Sequence, residues 1–177
     1  MEAHSPLNGV VGLGASLGDR AASLRLAVWC LAVWPGLRVV RCSRIFATPP
    51  AGGIAGAPFL NAAVRLESAL DPESWAQALR TIETRLGRRP TRRWADRVID
   101  LDLLWIEGKS VHSNELSVPH LRLPERDFAV IPLVEVAPEA RDPLTGVRYA
   151  DLAVARGRLL AVGTLPAPRL ARPPLAS

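Results

Sequence analysis

Cysteine, lysine and long apolar runs are all scarce in this chain of 177 residues. The two cysteines, Cys30 and Cys42, have neither the spacing of a metal site nor the density of a disulfide scaffold, so we expect free thiols in a reducing compartment. The longest apolar run, residues 26–34, is far shorter than the roughly 18 residues of a membrane span. Because the first residues, MEAHSPLNG, also lack the charged and apolar regions of a signal peptide, we expect a cytoplasmic protein with no membrane partner.

Arginine supplies almost all of the positive charge, with 21 arginines and the single lysine Lys109 in a chain of net charge +5. Its planar guanidinium group suits phosphates and carboxylates. Hydrophobic residues make up 49% of the chain and charged residues 22%, which is typical of a globular protein and not of a disordered one. We predict one domain over residues 1–165 and a disordered tail, rich in proline and alanine, over residues 166–177.

Hydrophobic patterning predicts the order strand, helix, strand, strand, helix, strand. This order is typical of an α+β fold of the ferredoxin-like, split βαβ type, in which helices pack on one antiparallel sheet. Two long loops, one rich in glycine and proline and one rich in arginine, are predicted to flank a single active site. The predicted strands are residues 9–13, 37–47, 59–66 and 97–105, and a short β-like end is predicted near Arg148. The predicted helices are residues 20–34, 71–86 and about 124–136. The two predicted loops are residues 48–58 and 87–97.

The segment RVIDLDLLW, residues 97–105, places two carboxylates in a strand made otherwise of core residues. Alternation puts Asp100 and Asp102 on one face, with Cα atoms roughly 6–7 Å apart. Two negative charges this close repel each other, and Mg²⁺ commonly binds one or two carboxylates together with substrate phosphates. Taken alone, the pair fits better with a solvent-facing strand or with pairing to nearby arginines, because a single short motif is weak evidence.

Six arginines lie within residues 85–97, with Trp94 among them. They could bind a nucleic acid, with Trp94 stacking on bases, or the polyphosphate of a nucleotide, or they could form a solvated charge run. The carboxylate pair argues against nucleic acid, because carboxylates repel phosphates unless Mg²⁺ is present. The stretch GLGASLGD, residues 12–19, lacks the Gly-Lys-Ser/Thr end of a Walker loop and favours a tight strand-to-helix turn. His120, Phe59 and Phe128, each taken singly, also fit structural roles.

In combination, these motifs resemble the 6-hydroxymethyl-7,8-dihydropterin pyrophosphokinase family of folate biosynthesis. The matching stretches are GLGASLGDR, TPP, FLNAAVRLE, ETRLGR, RWADRVIDLDLLW and LSVPHLRLPERDFAVIPLVEVAP, which follow the family's order over residues 9–139. The resemblance implies transfer of pyrophosphate from ATP to the hydroxymethyl group of the pterin, with release of AMP. We further expect a monomer that acts on these small molecules and binds no nucleic acid.

The resemblance also implies a role for each matching residue. Asp100 and Asp102 would hold two Mg²⁺ ions and, with Arg88 and Arg97, form the catalytic set. The pterin would lie between two phenylalanines and beside a polar edge, a set that comprises Phe59, Phe128, Thr48, Pro49, Ala51 and Asn61. The ATP-binding set would be Glu83, Arg88, Arg92, Trp94, Arg97, Leu103, Ser117, His120, Leu121 and Arg126, with Arg93 as an alternative to Arg92. Two departures are Arg80 and Glu115, at positions where relatives can carry glutamine and arginine, and the second removes one ATP contact.

Overall fold

The computed structural model describes residues 5–49, 58–88 and 97–168. Three predicted site residues, Ala51, Arg92 and Trp94, together with Arg93, therefore lie outside the described residues, as does the tail beyond residue 168. The elements in chain order are β1 (Leu7–Ala15), α1 (Arg20–Val33), β2 (Leu37–Cys42), β3 (Arg44–Thr48), β4 (Phe59–Ser68), α2 (Pro72–Arg85), β5 (Asp100–Ile106), β6 (Val111–His112), β7 (Ser117–Val118), α3 (Asp127–Val136) and β8 (Leu160–Thr164).

One antiparallel sheet contains six of the strands, in the order β5-β1-β4-β3-β8, and β2 also pairs with β4. Strands β2 and β3 lie end to end along β4, so together they take the place of a single strand. The strand that follows α2 lies beside β1, and β4 lies on the other side of β1, as in the split βαβ arrangement. The predicted α+β fold is therefore confirmed. Strands β6 and β7 form a separate two-stranded ribbon.

The single strand predicted over residues 37–47 is wrong, because the chain breaks at Ser43 into β2 and β3. The Ser43 hydroxyl donates to the Arg44 carbonyl at 2.7 Å and accepts the Ala63 N–H at 2.8 Å. A buried serine that bonds to the backbone in this way competes with the regular ladder of the sheet. Hydrophobic alternation continues across the break, so it does not reveal the interruption.

The structure differs from the predicted elements at two further places, both in the C-terminal third of the chain. The predicted helix at about 124–136 consists of a 3₁₀ turn, Leu123–Glu125, followed by α3. The β-like end near Arg148 is an isolated bridge to Arg141, and the last strand of the sheet is β8. Alternation cannot indicate β8, because all five of its residues are exposed. Leu165 follows β8 and is buried in the core, close to the predicted domain end.

The sheet has a hydrophobic core on each face, because successive strand residues point to opposite sides. Helices α1 and α2 cover one face, where Val11 and Leu13 of β1 are buried. Helix α3 covers part of the other face, where it packs on Val10, Ala63 and Leu104. The α3 face continues along β1, β4 and β5 beyond this apolar core.

Both cysteines are free thiols, as predicted, and burial raises the pKa of Cys42 to about 11. None of the described helices combines the length and the hydropathy that a membrane crossing would need.

Helix α2 begins with an N-cap residue, Asp71, whose side chain accepts hydrogen bonds from the first turn. Asp71 accepts the Ser74 N–H at 2.8 Å and the Ser74 hydroxyl at 2.7 Å, and these bonds lower the pKa of Asp71. We expect Asp71→Ala to lower the free energy of unfolding by about 1 kcal/mol at pH 7, measured by urea denaturation. Because the pKa is lower in the folded state, the contribution should disappear as the pH falls through that folded value. A difference that is undiminished in acid would contradict the cap.

Candidate active site

Beyond the α3 core, the same face of the sheet carries a row of polar residues. On β1, Gly14 pairs with Asp100 of β5 and with Asn61 of β4, and Gly12 pairs with Asp102. Directly paired residues of antiparallel strands point to the same face, so Asn61, Gly14 and Asp100 form one row across three strands. A Cβ added to Gly14 would lie 3.5 Å from Asn61 Oδ1 and 3.9 Å from Asp100 Cβ. Because glycine has no side chain, the surface of the row has a depression at Gly14, between the Asn61 amide and the Asp100 carboxylate.

Asp100 is held by two guanidinium groups. Arg88 Nη1 lies 2.9 Å from Oδ1 of Asp100, and Arg97 Nη1 lies 2.9 Å from Oδ2. Each carboxylate oxygen thus has its own cation, and all three side chains are partly exposed. The alternative in which a strand carboxylate pairs with nearby arginines is correct for Asp100.

Asp102 has a different environment from Asp100. Within the described ranges it makes no direct ion pair. Burial and the Asp100 carboxylate raise the pKa of Asp102, and the nearby side chains of His120, Arg126 and Arg88 oppose this shift. An ionised carboxylate that has a repelling neighbour and no ion-pair partner is strongly stabilised when a cation binds to it.

Glu83 lies on the last turn of α2 and is only 3% exposed. Its Oε1 atom accepts the Leu101 N–H at 2.7 Å and pairs with Arg88. Burial raises the pKa of Glu83, while the bonds from Arg88 and Leu101 oppose that shift. The resemblance implies a place along ATP for this residue, whereas the structure places its carboxylate against the edge of β5.

Ser16 is a site residue that the sequence interpretation missed. The Ser16 and Leu17 N–H groups donate to the Arg97 carbonyl at 3.0 and 3.2 Å, and the Arg97 N–H donates to Ser16 Oγ at 2.9 Å. These hydrogen bonds hold the segment that begins with Arg97 against the turn between β1 and α1. The glycine-rich stretch at residues 12–19 was the available signal, and its interpretation as a tight strand-to-helix turn is confirmed.

Three residues of the predicted pterin set lie together at the adjoining ends of β3 and β4. Asn61 Nδ2 donates to Thr48 Oγ1 at 2.8 Å, and Thr48 pairs with Phe59 in the ladder. Phe59 lies two residues before Asn61, so both side chains point to the α3 face. Pro49 follows directly and is exposed.

The segment between β7 and α3 brings further predicted residues to this face. The His120 N–H donates to the Leu104 carbonyl at 2.9 Å, and His120 Nδ1 accepts the Arg122 N–H at 3.2 Å. Burial lowers the pKa of His120, and Asp102 opposes this shift. Imidazole is therefore neutral at pH 7, with its proton on Nε2.

Phe128 is the second residue of α3 and is 37% exposed, with the Arg126 guanidinium 5.6 Å from the centre of its ring. This distance fits a cation–π contact. One face of the ring is thus already stacked on a cation that also lies near Asp102.

The remaining predicted ATP residues differ in accessibility. Leu121 is 73% exposed, and Ser117 on β7 is hydrogen-bonded to His112 at 2.9 Å. Leu103 is 6% exposed and its side chain points into the α1–α2 core, so only its backbone atoms could contact a ligand. The two departures from the family pattern are neighbours, since Arg80 and Glu115 form an exposed ion pair at 3.6 Å.

The donor set fits a divalent cation that is bound jointly with phosphates. Residues 5–49, 58–88 and 97–168 contain no group of three or more histidine, cysteine, aspartate or glutamate side chains that could hold a metal ion alone. Two carboxylates on one face are the set that Mg²⁺ uses when substrate phosphates supply further oxygens. Asp100 and Asp102 satisfy that requirement.

The fold and this charged face define a class: an α+β protein with a site suited to a polyphosphate and a divalent cation. The sequence model of the 7,8-dihydro-6-hydroxymethylpterin-pyrophosphokinase (HPPK) family matches residues 10–138. The chain belongs to this family, so it is a pyrophosphokinase of folate biosynthesis. The resemblance noted in the sequence is thereby confirmed.

Curated relatives support the same assignment. The 2-amino-4-hydroxy-6-hydroxymethyldihydropteridine pyrophosphokinase of Methylorubrum extorquens is 45% identical over 129 residues, which are 73% of this chain and 82% of the relative. The enzyme of the same name from Bacillus subtilis is 36% identical over 135 residues, 76% of this chain and 81% of the relative. The mitochondrial folate synthesis bifunctional protein of Arabidopsis thaliana is 36% identical over 148 residues, 84% of this chain, but the match spans only 26% of that protein.

A solved structure shows the same fold. The Plasmodium falciparum HPPK-DHPS structure has a TM-score of 0.63 at 15% identity, and the match covers 86% of this chain and 44% of that chain. The match thus spans less than half of the solved protein, and at this identity the likeness concerns the fold.

Proposed function

We propose that the chain transfers a pyrophosphoryl group from ATP to the hydroxymethyl oxygen of 6-hydroxymethyl-7,8-dihydropterin. The hydroxyl oxygen forms a bond to the β-phosphorus, the bond from that phosphorus to the α–β bridging oxygen breaks, AMP leaves, and the hydroxyl proton passes to solvent. The observation that carries the proposal is the row Asn61–Gly14–Asp100. It sets an amide that can bind a heterocycle beside a carboxylate that can face metal-bound phosphates.

The pterin would lie over the Asn61 end of this row. Phe59 and Phe128 offer flat apolar faces for a flat heterocycle. Asn61 both donates and accepts hydrogen bonds, and its bond to Thr48 fixes the orientation of the amide. Pro49 and Ala51 would complete the polar edge through their backbone atoms.

The phosphates would lie over the Asp100 end. Asp100 and Asp102 would hold two Mg²⁺ ions, which when bound would offset the charge of the phosphates. Arg88 and Arg97 already point at Asp100, and each guanidinium has further N–H groups that can donate to phosphate oxygens. His120 would donate from Nε2, because its Nδ1 atom is occupied by the Arg122 N–H.

The remaining ATP contacts are proposed from the family resemblance. They comprise Arg126, Ser117, Leu121, the backbone of Leu103, and Arg92 and Trp94 of the arginine-rich loop. No covalent intermediate is needed, since the residues named here position the reactants and neutralise charge.

A nucleotide product assay tests the proposal. Purified protein with ATP, Mg²⁺ and the pterin should form AMP only when the pterin is present, and the pterin should gain the mass of a diphosphate. The control omits the pterin and should give no AMP. Formation of ADP would indicate ordinary kinase chemistry, and absence of nucleotide turnover would contradict the proposal altogether.

A further inference from the structure

We propose that Glu83 is a positioning residue that holds the strand carrying Asp100 and Asp102, and that it does not bind the nucleotide itself. The inference rests on the proposed function, because it concerns the geometry of the proposed metal-binding carboxylates. It differs from the family resemblance, which implies that Glu83 lies along ATP.

The first observation is that β5 is an edge strand of the sheet that the described residues form. The outer edge of such a strand presents backbone N–H and carbonyl groups that no neighbouring strand can pair. In β5 these groups find other partners, since the Leu101 N–H donates to Glu83 and the Leu104 carbonyl accepts the His120 N–H. Two hydrogen bonds therefore fix the outer edge of the strand that carries the carboxylates.

The second observation is the position of Leu101 between Asp100 and Asp102. Its N–H belongs to the peptide unit that joins Asp100 to Leu101, so the bond to Glu83 fixes the backbone between the two carboxylates. Residues that orient metal ligands in this way typically change metal affinity about 10–100-fold when they are removed.

The third observation is that the Glu83 carboxylate is buried and already occupied. Its side chain is only 4% exposed, and it pairs with Arg88, which in turn pairs with Asp100. Burial of a carboxylate is unfavourable unless hydrogen bonds and a cation compensate for lost hydration. Here Oε1 has both a hydrogen bond and a cation, and the small exposed fraction of the side chain leaves little of the carboxylate surface for a nucleotide.

The experiment compares Glu83→Ala, which removes both contacts, with Glu83→Gln, which keeps an oxygen that can accept the Leu101 N–H. Glu73→Gln is the matched control, because Glu73 is an exposed acid on the same helix. The measurements are amide hydrogen exchange at Leu101 without ligands, the Mg²⁺ concentration for half-maximal turnover, and the KM values for ATP and pterin.

We expect Glu83→Ala to raise the half-maximal Mg²⁺ concentration about 10–100-fold and to accelerate exchange at Leu101. Glu83→Gln should exchange at nearly the wild-type rate and show a smaller Mg²⁺ shift, and Glu73→Gln should match wild type. An increase in KM for ATP, with exchange and Mg²⁺ dependence unchanged, would overturn the proposal. Faster exchange in Glu83→Gln than in wild type would also overturn it, even if the alanine variant fails to fold.

Failure of the proposed function gives a different result. In that case wild-type protein forms no pterin-dependent AMP, while exchange at Leu101 still reports on the contact with Glu83, because that measurement needs neither substrate nor metal.

Discussion

Asp100→Asn and Asp102→Asn should each lower turnover by about a thousandfold or more, yet only Asp100→Asn should lower stability. The loss of turnover follows because each change removes a carboxylate that faces the proposed metal ions. Asp100→Asn removes the carboxylate that pairs with both Arg88 and Arg97, and Arg88 keeps only its pair with Glu83, so the change should cost roughly 1–2 kcal/mol of unfolding free energy. Asp102→Asn removes a charge that is repelled by Asp100 and should leave the metal-free protein equally or more stable.

The pH dependence of the Asp102 effect has a defined sign. The pKa of Asp102 is raised in the folded protein, so the folded state holds this proton to higher pH than the unfolded state does. Ionisation of Asp102 therefore lowers stability as the pH rises above the ordinary carboxyl range. The gain of Asp102→Asn over wild type should be present at neutral pH and vanish in acid.

Urea denaturation without Mg²⁺ and AMP formation with Mg²⁺ measure the two effects separately. Asp151→Asn, at an exposed aspartate, is the control and should change neither quantity. Turnover close to wild type in either site variant would refute the metal assignment. A metal-free Asp102→Asn protein that is clearly less stable than wild type would refute the account of charge repulsion.

Local patterns were sufficient to predict much of the fold. The helices α1 and α2, the strand alternation that puts Asp100 and Asp102 on one face, and the order of the elements all depend on near neighbours in the chain. The break at Ser43 depends instead on a hydrogen bond to the backbone of a different strand. Such long-range contacts leave no periodic signal.

The buried position of Glu83 could have been predicted from the pattern of α2. The apolar stripe of α2 runs through Trp75, Leu79 and Ile82, and Glu83 falls on the same stripe at the eighth position after Trp75. A single acid on the buried face of an amphipathic helix requires a buried partner. The helix pattern identifies that requirement, but the partners Leu101 and Arg88 lie in segments whose positions only the tertiary structure gives.

The placement of α3 could not be predicted from the sequence. The two-stranded ribbon and a 3₁₀ turn separate α3 from β5, so near neighbours in the chain do not indicate which face of the sheet the helix covers. In the structure it packs on the face opposite to α1 and α2, and it therefore borders the carboxylate row. This placement brings Phe128 and Arg126 to the same face as Asp102.

The second large effect should come from Arg88→Ala, which we expect to lower kcat about 100–1000-fold while the KM for the pterin stays nearly constant. Arg88 is the cation shared by Glu83 and Asp100, beside the proposed phosphate site. The charge that it offsets increases as the bond to the leaving AMP breaks, so its loss raises the barrier more than it weakens binding. The proposed pterin contacts, such as Asn61 and Phe59, are left intact.

Arg85→Ala is the matched control for Arg88→Ala. Arg85 is the last residue of α2, three residues before Arg88, and its guanidinium lies 5.3 Å from the ring of Trp34 instead of facing the carboxylates. It carries the same charge, so a general effect of net charge on ATP binding should appear in both variants, whereas a specific effect should appear only in Arg88→Ala. Arg88→Lys should recover part of kcat, because it restores the positive charge but not the further N–H groups of the guanidinium. Steady-state kinetics at saturating Mg²⁺, on variants with wild-type circular dichroism, separates these cases. A large rise in the KM for the pterin with kcat unchanged would mean that Arg88 acts at the pterin end of the row and not at the phosphates.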